Sequence, residues 1–519
     1  MGTRSQDGQT QAFKGIPYAR PPIVDLRWRP PRVVLPWTDP VGATYGSDCL
    51  QMVDDSTAMG SEDCLFLNVW RPAEKTSSDE RLPVLVWIHG GGLVIGGSSD
   101  KANNGIDEYD GSELARQGLV VVTLNYRLGR LGFFAHTALI DEAKTEKRDF
   151  SGNFGLMDQI FALQWVQTNI GSFGGDNGQV TVAGESAGGI SVLHLLLTPK
   201  TKGLFQRVII MSGAGRRTVL LRQMKDGTRD KPSAAMIGEK FAAKSLGIDS
   251  ADPDALAKLR AVPMNDKILV QDLTFKNLVT AMRNEDLQSG MVMIDGGNAD
   301  GGIVKGEPGD VICYPDAGKL PMIIGTVANE ISLFLPPEDD PYRYFDPKRK
   351  DAQTFYHRYV FLPVIREEIG MDITMHEPAR FVAKAMMGAL QKVWLYRFTY
   401  VASGDWQGKV THGTWHSGEL PFLFQTLERK YPKVSPNDVD VEMSRRFSAY
   451  FANFAKSGAR NDPNPAGFPQ IWQPFDSNFH LMHFRDPAPN FEDEPRGGAR
   501  GGVALVEEVR GRQSQCGPP

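Results

Sequence analysis

The first half of the chain alternates short apolar runs with segments whose apolar residues recur at helical spacing. Runs rich in β-branched residues predict strands, and the periodic segments predict helices. The strands are 82–92, 118–127, 179–186 and 205–214, and the helices are 156–170 and 187–197. Buried strands that alternate with helices are typical of an α/β fold with a mostly parallel sheet. Two later runs, 319–330 and 392–400, predict further strands of that sheet.

The segments outside this alternation predict a cap and a tail. Helices and loops predominate in 215–320 and in 336–390, and we expect these insertions to cover the C-terminal ends of the strands. We predict one domain over residues 1–486. Residues 487–519 are rich in Gly, Pro and charge, which predicts a partly disordered tail.

Composition argues against several classes of function. The 519 residues carry a formal net charge of −5, and 41% of them are hydrophobic, as in ordinary globular proteins. No basic surface for nucleic acid is indicated. No apolar run reaches the roughly 18 residues that a membrane span requires. Four cysteines in a chain of this length do not make a disulfide framework.

One predicted strand-to-helix junction carries a reactive residue type. The sequence GESAG (184–188) joins the strand 179–186 to the helix 187–197. Gly-x-Ser-x-Gly is a weak signal by itself. Between a strand and a helix, however, it is typical of a nucleophile elbow, a sharp turn that exposes the serine. We therefore predict that Ser186 is a nucleophile.

A serine nucleophile needs donors for the oxyanion, and a glycine loop upstream offers them. The sequence IHGGG (88–92) ends an apolar strand, and glycines let backbone N–H groups approach a reacting carbonyl. The candidate donors are the N–H groups of Gly91, Gly92 and Ala187. His89 lies in this loop, and we expect its side chain to support it.

The serine also needs a base and an acid that orients it, in the chain order nucleophile, acid, base. For the base, His412 and His416 follow a late strand across a short loop, and the pattern does not separate them. For the acid, Glu330 closes a strand-like run. Its rivals Asp300 and Asp310 lie in glycine-rich loops without a preceding strand.

Together these motifs resemble the type-B carboxylesterases, a family of the α/β-hydrolase fold that includes the cholinesterases. The resemblance runs from about Phe13 to about Phe484. Its motifs, in the family's order, are FKGIPYARPP (13–22), SEDCLFLNVWRP (61–72), NYRLGRLGFF (125–134), GNFGLMDQIFALQWVQTNIGSFGGD (152–176) and VTVAGESAGG (180–189). The resemblance implies a large, mostly parallel central sheet flanked by helices, with helical cap insertions. It also implies hydrolysis of carboxylic esters through an acyl-enzyme.

The resemblance assigns a role to each residue of the serine site. The nucleophile falls on Ser186 and the acid on Glu330. The base falls on His416, because the family has histidine three residues before a Glu that precedes an aromatic stretch, here HSGELPFLF. This decides against His412. The remaining assignments are the oxyanion donors Gly91, Gly92 and Ala187 and two neighbours of the triad, Glu185 and Ser212.

The resemblance also implies structural pairs. The family's first disulfide falls on Cys49 and Cys64, which leaves Cys313 and Cys516 as expected free thiols. Two ion pairs fall on Arg27 with Glu62 and on Arg127 with Asp158. The loop between Cys49 and Cys64 has no tryptophan on which a cationic substrate could rest, which argues against a choline-ester specialist.

We expect a small-molecule ester as substrate, no cofactor, no metal and no nucleic-acid partner. The chain is expected to be a monomer or a weak dimer. One disulfide and the habit of the family favour a periplasmic or secreted protein. The alternatives are a lipase or amidase on the same scaffold, and a non-catalytic binding or adhesion module.

Overall fold

The strands follow the predicted alternation. The structure, a computed structural model, describes residues 2–35, 42–74, 81–99, 107–148, 152–213, 215–216, 221–228, 232–263, 267–274, 277, 292–295, 303–313, 318–330, 362–389, 391–403, 413–432, 435–458, 462–485, 490–493 and 506. The strands are β1 (Thr3–Arg4), β2 (Thr10–Pro17), β3 (Gln51–Met52), β4 (Ala58–Met59), β5 (Phe66–Pro72), β6 (Leu82–Ile88), β7 (Val120–Leu124), β8 (Gly175–Glu185), β9 (Arg207–Met211), β10 (Leu221–Gln223), β11 (Val292–Ile294), β12 (Met322–Val327), β13 (Val393–Phe398), β14 (His480–Phe484) and β15 (Asn490–Asp493).

Helices separate most of these strands. They are α1 (Ser112–Arg116), α2 (Gly129–Gly132), α3 (Thr137–Thr145), α4 (Phe154–Asn169), α5 (Ala187–Leu197), α6 (Ala234–Phe241), α7 (Ala255–Ala261), α8 (Pro308–Val311), α9 (Leu362–Met371), α10 (Glu377–Gly388), α11 (Leu420–Leu423), α12 (Leu427–Lys430) and α13 (Asp438–Lys456). Short 3-10 turns lie at Val24–Leu26, Ile170–Phe173 and Pro199–Thr201, and π-helical turns at Ala242–Leu246 and Asp372–His376. None of the helices among the described residues is long and apolar enough to cross a membrane.

The first of two compact units comprises Met1–Val182, Leu197–Phe205 and Val219–Gly306. Its main strands are ordered β1-β2-β5-β7-β6-β8. The pairs of β1 with β2, β2 with β5 and β5 with β7 are antiparallel, and β7 pairs with β6 in parallel. Its core joins aromatic residues to the aliphatic faces of α3, α6 and α7, with the ring of Trp28 stacked on that of Phe134.

The second unit comprises Ala183–Leu196, Gln206–Thr218 and Glu307–Pro519. Its strands are ordered β8-β9-β12-β13-β14-β15, with the last three residues of β8 at one edge. The pairs of β12 with β9 and β13, and of β13 with β14, are parallel, and β15 adds an antiparallel edge. Aromatic rings of α13 and β14 pack edge-on around Tyr396 of β13. The large, mostly parallel sheet flanked by helices confirms the predicted fold class.

Most predicted elements occupy their expected places. Helix α5 has the predicted bounds, and α4 begins two residues earlier than predicted. Most strands are shorter than the predicted apolar runs, which continue into the adjoining turns, whereas β8 begins four residues earlier than predicted. The sequence did not predict β14 or β15. Each is short, and β15 lies within the segment predicted as a tail, of which only 490–493 and 506 are described.

The insertions are described only in part. Between 221 and 313 the described residues form α6, α7, α8 and the parallel pair of β10 with β11. Of 336–390, the structure describes 362–389, which are mainly helical. The single domain over 1–486 and the role of both insertions as a cap stay predictions.

The predicted covalent link and ion pairs are present in the first unit. Cys49 and Cys64 form a disulfide that closes a 15-residue separation, a loop length worth about 3 kcal/mol in chain entropy. Arg27 and Glu62 form a buried two-point pair with N–O distances of 2.6 and 3.0 Å. The second predicted pair, that of Arg127 and Asp158, is also buried.

One cysteine prediction is wrong. Cys313 is disulfide-bonded, so it is not a free thiol. The resemblance to the type-B carboxylesterases places a disulfide only on Cys49 and Cys64. The spacing of cysteines along the chain does not reveal which of them approach each other. Cys516 lies outside the described residues.

Candidate active site

Ser186 occupies the tight turn between β8 and α5. Its φ is +55°, a left-handed conformation that costs a non-glycine residue roughly 1–3 kcal/mol. Its N–H donates to the carbonyl of Met211 at 2.9 Å, which ties the turn to β9. Its carbonyl accepts from the N–H of Ile190 as the helix begins. The strained backbone is therefore held from both sides, and the half-buried serine side chain lies at the start of α5.

Two glycines permit the close approach on which this turn depends. A Cβ on Gly189 would lie 2.8 Å from the Met211 carbonyl oxygen and 2.9 Å from the Cα of Gly213. A Cβ on Gly213 would lie 2.6 Å from the carbonyl carbon of Gly189. Helix α5 can therefore begin against the end of β9 only because both residues lack a side chain.

Glu330 follows β12, and both of its carboxylate oxygens are hydrogen-bonded. Oε2 lies 2.6 Å from Nδ1 of His416. Oε1 accepts from the hydroxyl of Ser212 at 2.6 Å and from the N–H of Val327 at 2.9 Å. Burial opposes ionisation, but these bonds and the charges of His416 and His376 outweigh it and lower the pKa of Glu330. The acid is therefore a carboxylate with a fixed orientation.

Backbone pairing brings the histidine to the acid. The N–H of Asn329 donates to the carbonyl of Thr414 at 2.8 Å, and the N–H of His416 donates to the carbonyl of Asn329 at 2.8 Å. The side-chain amide of Asn329 donates to the carbonyl of Gly413. The turn after β12 and the loop before α11 are thus joined, although about 80 residues separate them along the chain. Sequence analysis had not singled out Asn329.

The second ring nitrogen of His416 is buried and has no hydrogen-bond partner among the described residues. Oε1 of Glu185 lies 3.2 Å away, a distance that permits ionic attraction, but its direction does not make a hydrogen bond. That same oxygen accepts from the hydroxyl of Ser417 at 2.7 Å. Burial disfavours the imidazolium, yet the carboxylates of Glu185 and Glu330 raise the pKa of His416 to about 9. Nε2 is therefore positioned to take up a proton, and the imidazolium that results is stabilised.

Glu419 is a buried carboxyl whose importance the sequence did not reveal. Neither of its oxygens has a hydrogen-bond partner among the described residues. Burial, together with the charges of Glu185 and Glu330, raises the pKa of Glu419 well above its usual range. The protonated form of Glu419 is therefore favoured, and Glu185 and Glu330 make larger contributions than Glu419 to the negative charge that acts on His416. The motif HSGELPFLF contains Glu419 but does not indicate a role for its side chain.

The glycine loop lies in the first unit and follows β6. Gly91 and Gly92 have φ values of +97° and +63°, and a Cβ on Gly91 would lie 2.1 Å from the carbonyl oxygen of Ile95. The N–H groups of both glycines have no acceptor among the described residues. His89 stacks on Tyr126 and contacts the carbonyl of Gly90. Burial lowers the pKa of His89 to about 4, so it is a neutral support for the loop, as expected.

Of the three rival assignments, the structure describes only one. His412 and Asp300 lie outside the described residues, and Asp310 is exposed on α8. Ser212 contacts Glu330 directly, and Glu185 lies beside His416. Within the described ranges, no group of three or more His, Cys, Asp or Glu side chains is arranged to hold a metal ion.

The chain is similar to known proteins over most of its length. The model of the carboxylesterase family matches residues 1–362 and 343–496. The para-nitrobenzyl esterase of Bacillus subtilis (strain 168) is 33% identical over 93% of this chain and 92% of its own. The fumonisin B1 esterase of Sphingopyxis macrogoltabida is 30% identical over 92% of this chain and 84% of its own. A solved PNB esterase structure matches with a TM-score of 0.73 at 30% identity, over 97% of both chains. The chain therefore belongs to the carboxylesterase family and is a carboxylic ester hydrolase.

Proposed function

We propose that Ser186, His416 and Glu330 are the catalytic triad of this esterase. The observation that carries the proposal is the buried pair of His416 and Glu330, whose remaining nitrogen Nε2 has no hydrogen-bond partner among the described residues. A base needs one nitrogen held by the acid and the other available for the hydroxyl proton. The left-handed backbone of Ser186 supports its role as nucleophile, because such strain persists where function requires it.

In the first half-reaction, Oγ of Ser186 attacks the ester carbonyl carbon while Nε2 of His416 takes the hydroxyl proton. A C–O bond forms, and the carbonyl electron pair moves onto the oxygen. The tetrahedral intermediate then expels the alcohol, which leaves with the proton from His416. The product is an acyl-enzyme ester on Ser186.

In the second half-reaction, water replaces the alcohol. Nε2 of His416 takes a proton from water as the water oxygen attacks the acyl carbon, and the same proton returns to Oγ when the acid product leaves. Glu330 keeps Nδ1 protonated throughout and stabilises the imidazolium. The hydrogen bonds from Ser212 and Val327 maintain this carboxylate in its orientation.

We further propose that the N–H groups of Gly91, Gly92 and Ala187 stabilise the oxyanion. The support is their place in the two glycine motifs, together with the absence of any acceptor for the two glycine N–H groups among the described residues. Ala187 begins α5, and the N–H groups of a first helical turn have no acceptor within the helix. The loss of one such donor raises the barrier by about 3 kcal/mol.

A p-nitrobenzyl ester is the first substrate to test. One relative is named for such an ester and another for fumonisin B1, so similar chains are named for different substrates. A panel that varies the acyl chain and the alcohol independently assigns the preference. The lipase alternative predicts a preference for long acyl chains, and the amidase alternative predicts cleavage of matched anilides.

The decisive test is Ser186→Ala with the p-nitrobenzyl ester. We expect kcat to fall by about a millionfold. Ser444→Ala is a matched control, because Ser444 donates only to the carbonyl of Phe422 in α11 and leaves the triad intact. Near wild-type turnover in Ser186→Ala would overturn the triad.

Covalent labelling separates the enzyme from a binding module. An organophosphate that phosphorylates serine should add its mass to the peptide that contains Ser186, at the rate at which activity is lost. No label on Ser186 in the wild-type protein would contradict its role as nucleophile and favour the non-catalytic alternative.

A further inference from the structure

A segment that the proposed mechanism does not use contacts the turn that carries the acid. It consists of the end of α9, the π-helical turn Asp372–His376 and the start of α10. Sδ of Met371 accepts the N–H of Glu330 at 3.1 Å. Nε2 of His376 lies 3.3 Å from the carbonyl oxygen of Val327. The segment therefore contacts both ends of the turn from Val327 to Glu330.

The π-helical turn has a local cause. Pro378 has no N–H, so the usual helical bond to the carbonyl of Thr374 is lost. The N–H of Glu377 bonds instead to the carbonyl of Asp372, five residues back. Such widened turns are rare and are frequent at functional sites. Here the widened turn contains His376, whose ring lies against β12.

The surroundings of His376 assign its protons. The ring is buried, and its Nδ1 lies 2.9 Å from Oδ1 of Asp372 and 3.2 Å from Nη2 of Arg397. A neutral ring accepts from Arg397 at Nδ1, and a charged ring donates to Asp372 there. The carbonyl oxygen of Val327 can only accept, so it favours the forms of the ring in which Nε2 carries a proton: the imidazolium and the Nε2–H tautomer. The hydrogen bond to Val327 therefore persists in either form.

This hydrogen bond is linked to Glu330 through one residue, Val327. Val327 accepts from His376 at its carbonyl and donates its N–H to Oε1 of Glu330 at 2.9 Å. Arg397 donates to Oγ1 of Thr326 at 3.0 Å, which holds the preceding residue of β12. When His376 is charged, it also favours the carboxylate form of Glu330. Asp372 and Arg397 lie within hydrogen-bond distance of the His376 ring, and Glu330 interacts with its charge electrostatically.

We propose that His376 is a positioning residue for the catalytic acid: its Nε2–H holds the Val327 carbonyl and so keeps the Val327 N–H on the Glu330 carboxylate. The proposal rests on the proposed triad. His376 touches neither substrate nor Ser186 in this role, and it acts on kcat through the orientation of Glu330 and His416.

The test compares His376→Leu with His376→Gln. Leucine removes the donor, whereas the amide of glutamine can still donate to the Val327 carbonyl without a charge. For His376→Leu we expect kcat to fall about ten- to a hundredfold with KM within about twofold, the range for small misplacements of a catalytic group. His376→Gln should recover most of that loss. Rates are expressed per active site, titrated with the organophosphate, so that misfolded protein does not count.

A spectroscopic readout distinguishes positioning from mere packing. The proton between Nδ1 of His416 and Glu330 should give a far-downfield NMR resonance in the wild type. It should shift or broaden in His376→Leu and return in His376→Gln. His483→Leu is the matched control, because this half-buried histidine of β14 contacts Thr399 and lies outside the acid turn. It should leave both the resonance and kcat unchanged.

The outcomes separate this inference from the proposed function. If the wild type hydrolyses the ester and labels at Ser186, but His376→Leu matches it in kcat per site and in the NMR resonance, only the role of His376 is wrong. Equal losses in the Leu and Gln variants also overturn it. A wild type without activity or label contradicts the triad itself. Should His376→Leu fail to fold, His376→Asn replaces it, since its side chain is too short to reach the carbonyl.

Discussion

The second unit contains two buried histidine–carboxylate pairs of similar geometry. In one, Nδ1 of His416 lies 2.6 Å from Glu330, and in the other, Nδ1 of His376 lies 2.9 Å from Asp372. The pairs differ at the opposite ring nitrogen. Nε2 of His416 has no hydrogen-bond partner among the described residues, whereas Nε2 of His376 faces the Val327 carbonyl.

This difference determines what each pair can do. A buried imidazole with an available nitrogen can accept a proton, and a carboxylate at the other nitrogen stabilises the charge that follows. An imidazole whose second nitrogen is already bonded to a carbonyl can only hold that carbonyl in place. We therefore expect the same residue types to provide a base in one place and a support in the other.

The largest expected effect on kcat comes from replacing Glu330, the carboxylate paired with His416. Glu330→Gln should lower kcat by about ten-thousandfold, because the amide favours the wrong tautomer of His416. Asp372→Asn should lower kcat by about tenfold or less, because Nε2 of His376 still donates to Val327 in the neutral ring. Steady-state kinetics with the p-nitrobenzyl ester measures both. Losses of equal size would mean that the two pairs are not functionally distinct.

The next effect concerns pH and only one of the pairs. The base must be neutral in the free enzyme, so kcat/KM rises with pH through the pKa of His416. Glu185 raises that pKa by stabilising the imidazolium. Glu185→Gln should therefore move the acid limb of kcat/KM to lower pH, by roughly one unit. Profiles from about pH 5 to about pH 10 measure the shift.

Asp372→Asn is the control for this profile. Asp372 faces His376 and makes no contact with the His416 ring in the described residues. The acid limb of kcat/KM in Asp372→Asn should therefore lie at the same pH as in the wild type. A limb that moved to higher pH in Glu185→Gln would contradict the assignment of this carboxylate as the charge beside the base.

The smallest effect is on stability and tests the third carboxyl near the base. The folded state raises the pKa of Glu419, so it binds more protons than the unfolded state does above about pH 4.5. Wild-type stability should therefore fall as pH rises, by at most about 1.4 kcal/mol per pH unit from this group. Glu419→Gln removes that slope, so its free energy of unfolding should gain on the wild type as the pH rises above about 4.5.

Denaturant unfolding at several pH values measures the slope. Glu442→Gln is the control, because the pKa of this partly exposed carboxyl is lowered to about 2 and it contributes no slope above pH 4.5. A constant difference between Glu419→Gln and the wild type across the pH range would show that Glu419 is ionised in the folded protein.

The local features of the site were predictable from the sequence. A strand, a Gly-x-Ser-x-Gly turn and a helix follow one another without interruption, so the elbow at Ser186 depends only on neighbouring residues. The same holds for the glycine loop after β6. His416 was separated from His412 by a motif of the family, since local pattern offered no ground for a choice.

The contacts between distant elements were decided by tertiary structure alone. Asn329 joins two loops, Glu419 is buried among carboxylates, and Cys313 is disulfide-bonded. Such contacts depend on how elements distant in the chain pack, which local periodicity does not specify. Thr326 and Arg397, for example, are 71 residues apart and meet because β12 and β13 pair in parallel.

By itself, then, the sequence determined which residue types stand at the ends of which strands, because apolar periodicity and glycine spacing record local burial and turns. Tertiary structure decided which histidine keeps an available nitrogen. That property belongs to neither histidine alone, but to the groups that the fold brings around each ring: two carboxylates at His416, and a carbonyl, a carboxylate and a guanidinium at His376.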